Sequence, residues 1–88
     1  MKTEFRRSFA KDLENVRDKQ LRQRVKEVIE TVEQIDSLQG MDGVKKLKGG
    51  DLFYRIRVSN YRLGLIVEGD TVIFVRFLHR KDIYRYFP

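Results

Sequence analysis

The fold is decided by residues 52–78, which read LFYRIRVSNYRLGLIVEGDTVIFVRFL. Apolar and arginine side chains alternate in the first part of this stretch, which is the two-residue period of a strand with one buried face. Short polar turns at residues 59–60 and 68–70 divide the stretch into three segments. We therefore expect three consecutive antiparallel strands. The third, residues 71–78, is apolar on both faces until Arg76, as expected for a strand in the middle of the sheet or one that is covered on both sides.

The first half of the chain has helical periodicity instead. Apolar residues recur every three or four positions over residues 9–16 and again over residues 21–35. Ser8 is a candidate N-cap for the first helix and Asp18 for the second, since each offers a side-chain oxygen to free backbone amides. Residues 2–6 can form a short strand ahead of them. The sequence thus predicts an α+β fold in which a helical hairpin packs on one face of a sheet.

Composition limits the possible function classes. With 88 residues the chain is expected to form one domain, residues 1–88. It has no cysteine and one histidine, His79, so neither a disulfide framework nor a cysteine- or histidine-rich metal site is expected, and no cofactor is predicted. No apolar run approaches the roughly 18 residues of a membrane span, so no membrane partner is expected and the predicted location is the cytoplasm.

The positive charge is concentrated in the second half of the chain. Residues 1–36 hold nine Lys/Arg against eight Asp/Glu, whereas residues 37–88 hold ten against five. A concentrated basic segment is typical of a surface that binds phosphate. The alternative is a basic surface that serves solubility alone. The basic residues closest together in sequence are Lys45, Lys46, Lys48, Arg55, Arg57 and Arg62.

The alternation places Arg55 and Arg57 on the face of the sheet opposite the helices. Arg62 of the next strand is expected beside them, because cross-strand neighbours on one face lie within roughly 5–8 Å. Like charges at that spacing repel each other unless an anion is present, which favours a phosphate-bearing ligand. The alternative is that each arginine pairs with a nearby carboxylate. The candidate carboxylates are Asp51, Glu68 and Asp70.

Two segments, YRIRVSNYRL at residues 54–63 and HRKDIY at residues 79–84, resemble the RelE/ParE superfamily of bacterial type II toxins. The resemblance extends over essentially the whole chain. It implies a small fold in which an N-terminal strand and a helical hairpin pack on a twisted antiparallel sheet that ends in a short tail or helix. RelE-like members are endoribonucleases that cut messenger RNA in the ribosomal A site, and ParE-like members inhibit DNA gyrase. The resemblance also implies a cognate antitoxin as partner, with an acidic amphipathic segment.

For a RelE-like toxin the expected reaction is metal-independent attack of a ribose 2′-hydroxyl on the adjacent phosphate. The resemblance implies that Arg62 grips the scissile phosphate and that Arg80 supplies the acid or the transition-state cation. It also implies that Tyr84 stacks on or orients the base, with Tyr86 as the alternative.

Arg55 and Arg57 match strand positions that are lysine in the RelE type. Arginine stays protonated, so these two residues are expected to clamp phosphate and not to act as bases. His79 is the candidate base, because histidine titrates near neutral pH; water or substrate-assisted transfer on the ribosome is the alternative. Further phosphate contacts are expected from Lys45, Lys46 and Lys48.

Two other functions fit the same residues. A ParE-like toxin would use the fold and the basic surface to inhibit gyrase without catalysis, and a plain RNA-binding module would contact messenger or ribosomal RNA without cutting it.

The C-terminal tail has a purely structural interpretation as well, namely a hydrophobic plug over the sheet. Its apolar and aromatic members are Ile83, Tyr84, Tyr86 and Phe87.

Overall fold

A computed structural model describes residues 1–50 and 52–88 of the chain. Its elements, in chain order, are β1 (Lys2–Phe5), α1 (Arg7–Glu14), α2 (Lys19–Gln34), β2 (Val44–Lys46), β3 (Phe53–Val58), β4 (Tyr61–Glu68), β5 (Thr71–His79) and α3 (Arg80–Tyr86). The predicted α+β class, the helical hairpin, the N-terminal strand and the three consecutive strands are all confirmed. Among the described residues, no helix has the length and apolar character needed to cross a membrane.

The sheet has five strands in the order β1-β5-β4-β3-β2. The pairs β2–β3, β3–β4 and β4–β5 are antiparallel, as predicted. β1, whose direction the sequence left open, pairs with β5 in parallel, from Lys2 opposite Thr71 to Phe5 opposite Phe74, so the otherwise antiparallel sheet is mixed. A short turn fixes the relative direction of two strands, but β1 is separated from β5 by most of the chain, so no local rule fixed its direction.

Helices α1 and α2 cover one face of the sheet, which we call the helical face. Asp18 caps α2 as predicted, since its Oδ1 accepts from the amides of Gln20 at 2.9 Å and Leu21 at 3.2 Å. The predicted cap of α1 by Ser8 is wrong, because that helix begins after Arg6 without a side-chain cap. The main core between helices and sheet contains the buried side chains Phe9, Val16, Leu21, Val25, Val32, Leu38, Ile56, Val58, Leu63, Leu65, Val72, Phe74 and Phe77.

Polar side chains of α1 cover the part of β5 that β1 does not reach. The β1 pairing ends at Phe74, and the register of β5 against β4 shifts there, between Gly64 and Leu65. Ser8 Oγ donates to the Val75 carbonyl at 2.6 Å, and the Phe77 amide donates to Asp12 Oδ2 at 2.9 Å. These bonds replace strand partners at an edge that would otherwise expose backbone groups.

The C-terminal helix α3 lies against the opposite, outer face of the sheet. Ile83 and Phe87 are buried there but stand apart from the main core. The Phe87 ring lies directly over Gly64, where an added Cβ would come within 2.7 Å of it, and meets Phe53 edge-on at 5.8 Å between centroids. Tyr84 is 72% exposed, so the tail divides into a buried plug and exposed phenols.

Candidate functional site

The outer face of β3 and β4 gathers three arginines. Arg57 and Arg62 are direct cross-strand partners. Arg55 lies two residues before Arg57 on the same face, opposite Gly64. The arginines lie next to one another because the strand period places them on the face that the helices leave open. This confirms their expected proximity.

Helix α3 brings two further side chains to the same place. The Arg55 guanidinium carbon lies 4.8 Å from the centroid of the Tyr84 ring, in a cation–π contact. Arg80 begins α3, and its amide donates to the Asn60 carbonyl at 2.8 Å, which ties the helix start to the β3–β4 turn. Arg80 and Tyr84 are four residues apart and therefore share a side of the helix. We call Arg55, Arg57, Arg62 and Arg80 the arginine cluster.

Arg62 is the electrostatic centre of the cluster. Burial lowers the pKa of its guanidinium, and the positive charges of Arg55, Arg57 and Arg80 lower it further, while Tyr84 acts in the opposite direction. Its Nη1 donates to the carbonyls of Ser59 at 3.0 Å and Tyr61 at 2.9 Å, which fixes the plane of the guanidinium. Arginine still remains protonated in such a setting. The site is therefore a fixed, repulsive group of cations that an anion would stabilise.

Carboxylates do not neutralise the cluster within residues 1–50 and 52–88. An ion pair joins Arg76, on the neighbouring strand β5, to Asp12 of α1 and does not involve the cluster. Glu68 and Asp70, two of the three carboxylates that the sequence offered as partners, make no ion pair with the arginines. The third, Asp51, lies outside the described residues. As far as Glu68 and Asp70 are concerned, the cationic groups are not engaged by a carboxylate.

A cavity of about 260 Å³ opens on this face next to Arg62. Lys45 of β2 pairs with Arg55 in the sheet and so projects to the same side. Lys46 does not, because it pairs with Tyr54 and faces the helical side, where it lines a different cavity. Lys48 is exposed in the loop after β2. The 260 Å³ cavity is lined by Gly43, Lys45, Arg55, Arg57 and Arg62.

His79 lies on the helical face, opposite the arginine cluster. It pairs with Tyr61 in the sheet, and the two rings meet edge-on at 5.5 Å between centroids. Its Nδ1 accepts from the Lys81 amide at 3.1 Å, so the side chain caps α3. The structure therefore does not bring His79, the candidate base, to the same face of the sheet as Arg55, Arg57 and Arg62. The alternation of side chains along a strand explains this placement. Leu78 pairs with Arg62 and lies on the outer face, so its neighbour His79 lies on the helical face.

Sequence reasoning missed the glycine that makes room for α3. Gly64 interrupts an otherwise apolar strand, and an isolated glycine in a strand often marks a close approach of another group. That signal was present in the sequence. Which group approaches, the Phe87 ring, depends on the tertiary placement of α3.

Comparison with known proteins agrees with this architecture. A family model described as the ParE toxin of type II toxin–antitoxin systems matches residues 3–84. The chain is 49% identical to the curated Toxin RelE3 of Methanocaldococcus jannaschii over 89 residues, with all of both chains covered. It is 30% identical to a second protein of that organism, putative toxin RelE1, over 90% of this chain and 88% of that one.

Solved structures show the same fold. The crystal structure of a RelB–RelE antitoxin–toxin complex from Methanococcus jannaschii matches with a TM-score of 0.82 at 48% identity, covering 97% of this chain and 99% of that one. An archaeal RelE–RelB complex from Pyrococcus horikoshii matches with a TM-score of 0.75 at 20% identity, covering 90% and 93% of the two chains. The fold and its basic outer face thus define a small toxin domain. The chain belongs to the RelE/ParE superfamily of type II toxin–antitoxin toxins.

Proposed function

We propose that this toxin is a ribosome-dependent endoribonuclease that cleaves messenger RNA and so inhibits translation. The observation that carries the proposal is the convergence of Arg62, Arg80 and Tyr84 on one open face, with Arg55 in contact with the Tyr84 ring. The arrangement combines an anion site with an exposed aromatic ring. Such a pair suits one nucleotide, whose phosphate takes the cations and whose base stacks on the ring.

The proposed reaction is attack of a ribose 2′-oxygen on the adjacent phosphorus. The bond from phosphorus to the 5′-oxygen breaks, and the 5′-oxygen takes a proton from Arg80 or from water, leaving a 2′,3′-cyclic phosphate and a 5′-hydroxyl. Negative charge builds on the non-bridging oxygens in the transition state, and the guanidinium of Arg62, held at Nη1 by the Ser59 and Tyr61 carbonyls, has further N–H groups that can donate to such oxygens. Arg80 contributes a second cation at the start of α3. Arg55 and Arg57 hold the substrate backbone.

Proton removal from the 2′-hydroxyl is the step for which this face is poorly equipped. The basic side chains around the cavity are one lysine and three arginines, and His79 projects to the other side of the sheet. We infer that water or a ribosomal group takes the proton, while the toxin supplies charge and orientation. A site without its own base explains a requirement for the ribosome in physical terms, since free RNA would meet the cations but not the base.

Neutralisation by an antitoxin is part of the proposal. The M. jannaschii and P. horikoshii structures are complexes of RelE with RelB. By extension, this chain is proposed to bind a cognate antitoxin in the cytoplasm, through an acidic segment that complements its net charge of +6. Association should weaken as salt is raised, because screening reduces attraction between exposed charges.

The test compares the purified toxin on translating ribosomes and on DNA gyrase. Wild-type toxin should cut messenger RNA on ribosomes, leaving 5′-hydroxyl ends, and should leave gyrase supercoiling intact. Arg80→Ala should lose cleavage and relieve growth arrest on expression. Arg85→Ala is the matched control, because Arg85 is exposed on the same helix. A supercoiling defect with intact messenger RNA would replace the proposal with the ParE-like function.

A further inference from the structure

We propose that Lys45 and Gly43, at the β2 side of the arginine cluster, form a second phosphate subsite, which binds the phosphate next to the scissile one. The inference rests on the proposed function and extends it from one nucleotide to two successive phosphates. It makes β2 the strand that sets the path of the RNA backbone across the sheet.

The cationic surface is wider than one phosphate. Lys45 lies on β2 and Arg62 on β4, with Arg55 of β3 between them. Neighbouring strands are about 4.8 Å apart, so the outer two backbones are separated by roughly 10 Å. Arg80 lies beyond Arg62, at the start of α3. Arg80 is not in the lining of the cavity, whereas Lys45 and Arg62 line it together. A phosphate held between Arg62 and Arg80 would thus lie toward α3, which leaves the Lys45 side of the cavity to the next phosphate.

Gly43 keeps the β2 end of the cavity open. Its carbonyl accepts from the Arg57 amide at 3.0 Å, so its backbone lies close beside β3. An added Cβ would stand 3.4 Å from the Arg57 carbonyl oxygen and 3.7 Å from the Arg57 Cβ, on the wall of the cavity. Gly43 also has φ +78°, a conformation that other residues rarely adopt. A glycine here thus serves both the turn into β2 and the space beside Arg57.

The size and position of the cavity suit a backbone that continues past it. Its volume is about 260 Å³, and a water molecule takes up about 30 Å³ in the liquid, so a phosphate with part of its ribose has room. Because β2 is the edge strand of the sheet, nothing in the strand order blocks the way beyond Lys45. An RNA strand can enter beside Tyr84 and leave over β2.

Edge strands often carry lysine simply to prevent pairing with another chain. Lys46 separates the two explanations, because it is on the same edge strand with the same charge but faces the helical side. If the lysines only protect the edge, replacing either one should have the same effect on RNA binding. If the outer face holds a phosphate subsite, only the replacement of Lys45 should weaken RNA binding.

The experiment measures binding of two uncleavable probes, a 2′-O-methyl dinucleotide with one phosphate and a trinucleotide with two. For wild-type toxin, the trinucleotide should bind several-fold tighter, and its salt dependence should be steeper by about 0.7 in log–log slope. Lys45→Ala should abolish both differences while leaving dinucleotide binding and melting temperature unchanged. Lys46→Ala should preserve both differences.

Equal losses in the two lysine variants, or equal wild-type binding of the two probes, would overturn the subsite. The binding experiment is independent of catalysis. If the two-phosphate preference holds but ribosome-bound messenger RNA is not cut, the proposed nuclease function fails and the subsite stands. If ribosome-bound messenger RNA is cut but Lys45→Ala still binds the trinucleotide more tightly than the dinucleotide, the subsite fails and the proposed nuclease function stands.

Discussion

Arg76 of β5 binds the Asp12 carboxylate of α1 in a bidentate manner along one edge of its guanidinium, through Nε at 2.8 Å and Nη2 at 3.0 Å. Asp12 Oδ2 also accepts from the Phe77 amide, so one carboxylate closes the exposed edge of β5 and orients Arg76. On its other side, the Arg76 guanidinium carbon lies 5.3 Å from the centroid of the Tyr86 ring. The pair thus links α1, the sheet and the helix that carries Arg80 and Tyr84.

Replacing Arg76 with alanine should loosen α3. Asp12 would keep a single donor, and Tyr86 would lose its cation, so we expect the free energy of unfolding to fall by about 1–2 kcal/mol. This loss of stability is smaller than for a fully buried ion pair, because the Arg76 side chain is 25% exposed to solvent. Urea unfolding measures the loss, and hydrogen exchange should show faster exchange of the α3 amides. Lys26→Ala, on the exposed side of α2, is the control, and equal stability of the two variants would contradict this role.

Adding a methyl group at Gly64 should displace α3. The new Cβ would come within 2.7 Å of the Phe87 ring, so Gly64→Ala should cost about 1–3 kcal/mol of stability and reduce messenger RNA cleavage. A double-mutant cycle with Phe87→Leu checks the cause, because a smaller side chain should relieve part of the clash. Strictly additive losses in the two variants would show that Gly64 acts in some other way.

Tyr84→Ala should abolish toxicity with little effect on folding. The ring is 72% exposed, so we expect the free energy of unfolding to change by no more than about 1 kcal/mol, mainly through the lost contact with Arg55. Growth on expression and thermal unfolding together measure the two effects, and Tyr84→Phe, which keeps the stacking ring, is the matched variant. A collapse of stability in Tyr84→Ala would instead assign the side chain to the hydrophobic plug.

The arginine cluster should make stability depend on anions. A cation whose pKa is lowered on folding opposes folding at every pH below that lowered pKa, and for Arg62 this includes the whole neutral range. Changing the pH from 5 to 9 should therefore not relieve the repulsion. Adding phosphate in place of chloride at constant ionic strength should raise the melting temperature. Arg57→Gln should reduce that gain and Arg85→Gln should not; an identical gain in both variants would argue against a phosphate site.

His79→Gln should retain cleavage. The ring is on the helical face and accepts the Lys81 amide, so we expect a stability loss of about 1 kcal/mol through the helix cap and an unchanged dependence of cleavage on pH from 6 to 8. Single-turnover cleavage of ribosome-bound messenger RNA across that range is the measurement. A flattened pH profile in the variant would restore His79 as the general base despite its placement.

Much of the architecture followed from local patterns. The two-residue period of residues 53–58 placed Arg55 and Arg57 on one face, and the short turn at residues 59–60 placed Arg62 beside them. These relations need only the geometry of neighbouring strands. Asp18 likewise caps a helix that begins at the next residue.

Tertiary packing decided what those patterns left open. The parallel pairing of β1 with β5, the bond from Ser8 to the Val75 carbonyl and the ion pair of Asp12 with Arg76 all join groups that are distant in the chain. The side on which α3 lies depends on Phe87 finding the space over Gly64. By itself, the sequence determined which arginines share a strand face, because that needs only the pleat. Only the folded structure decided that Arg80 and Tyr84 join them and that His79 does not, because those positions depend on long-range packing.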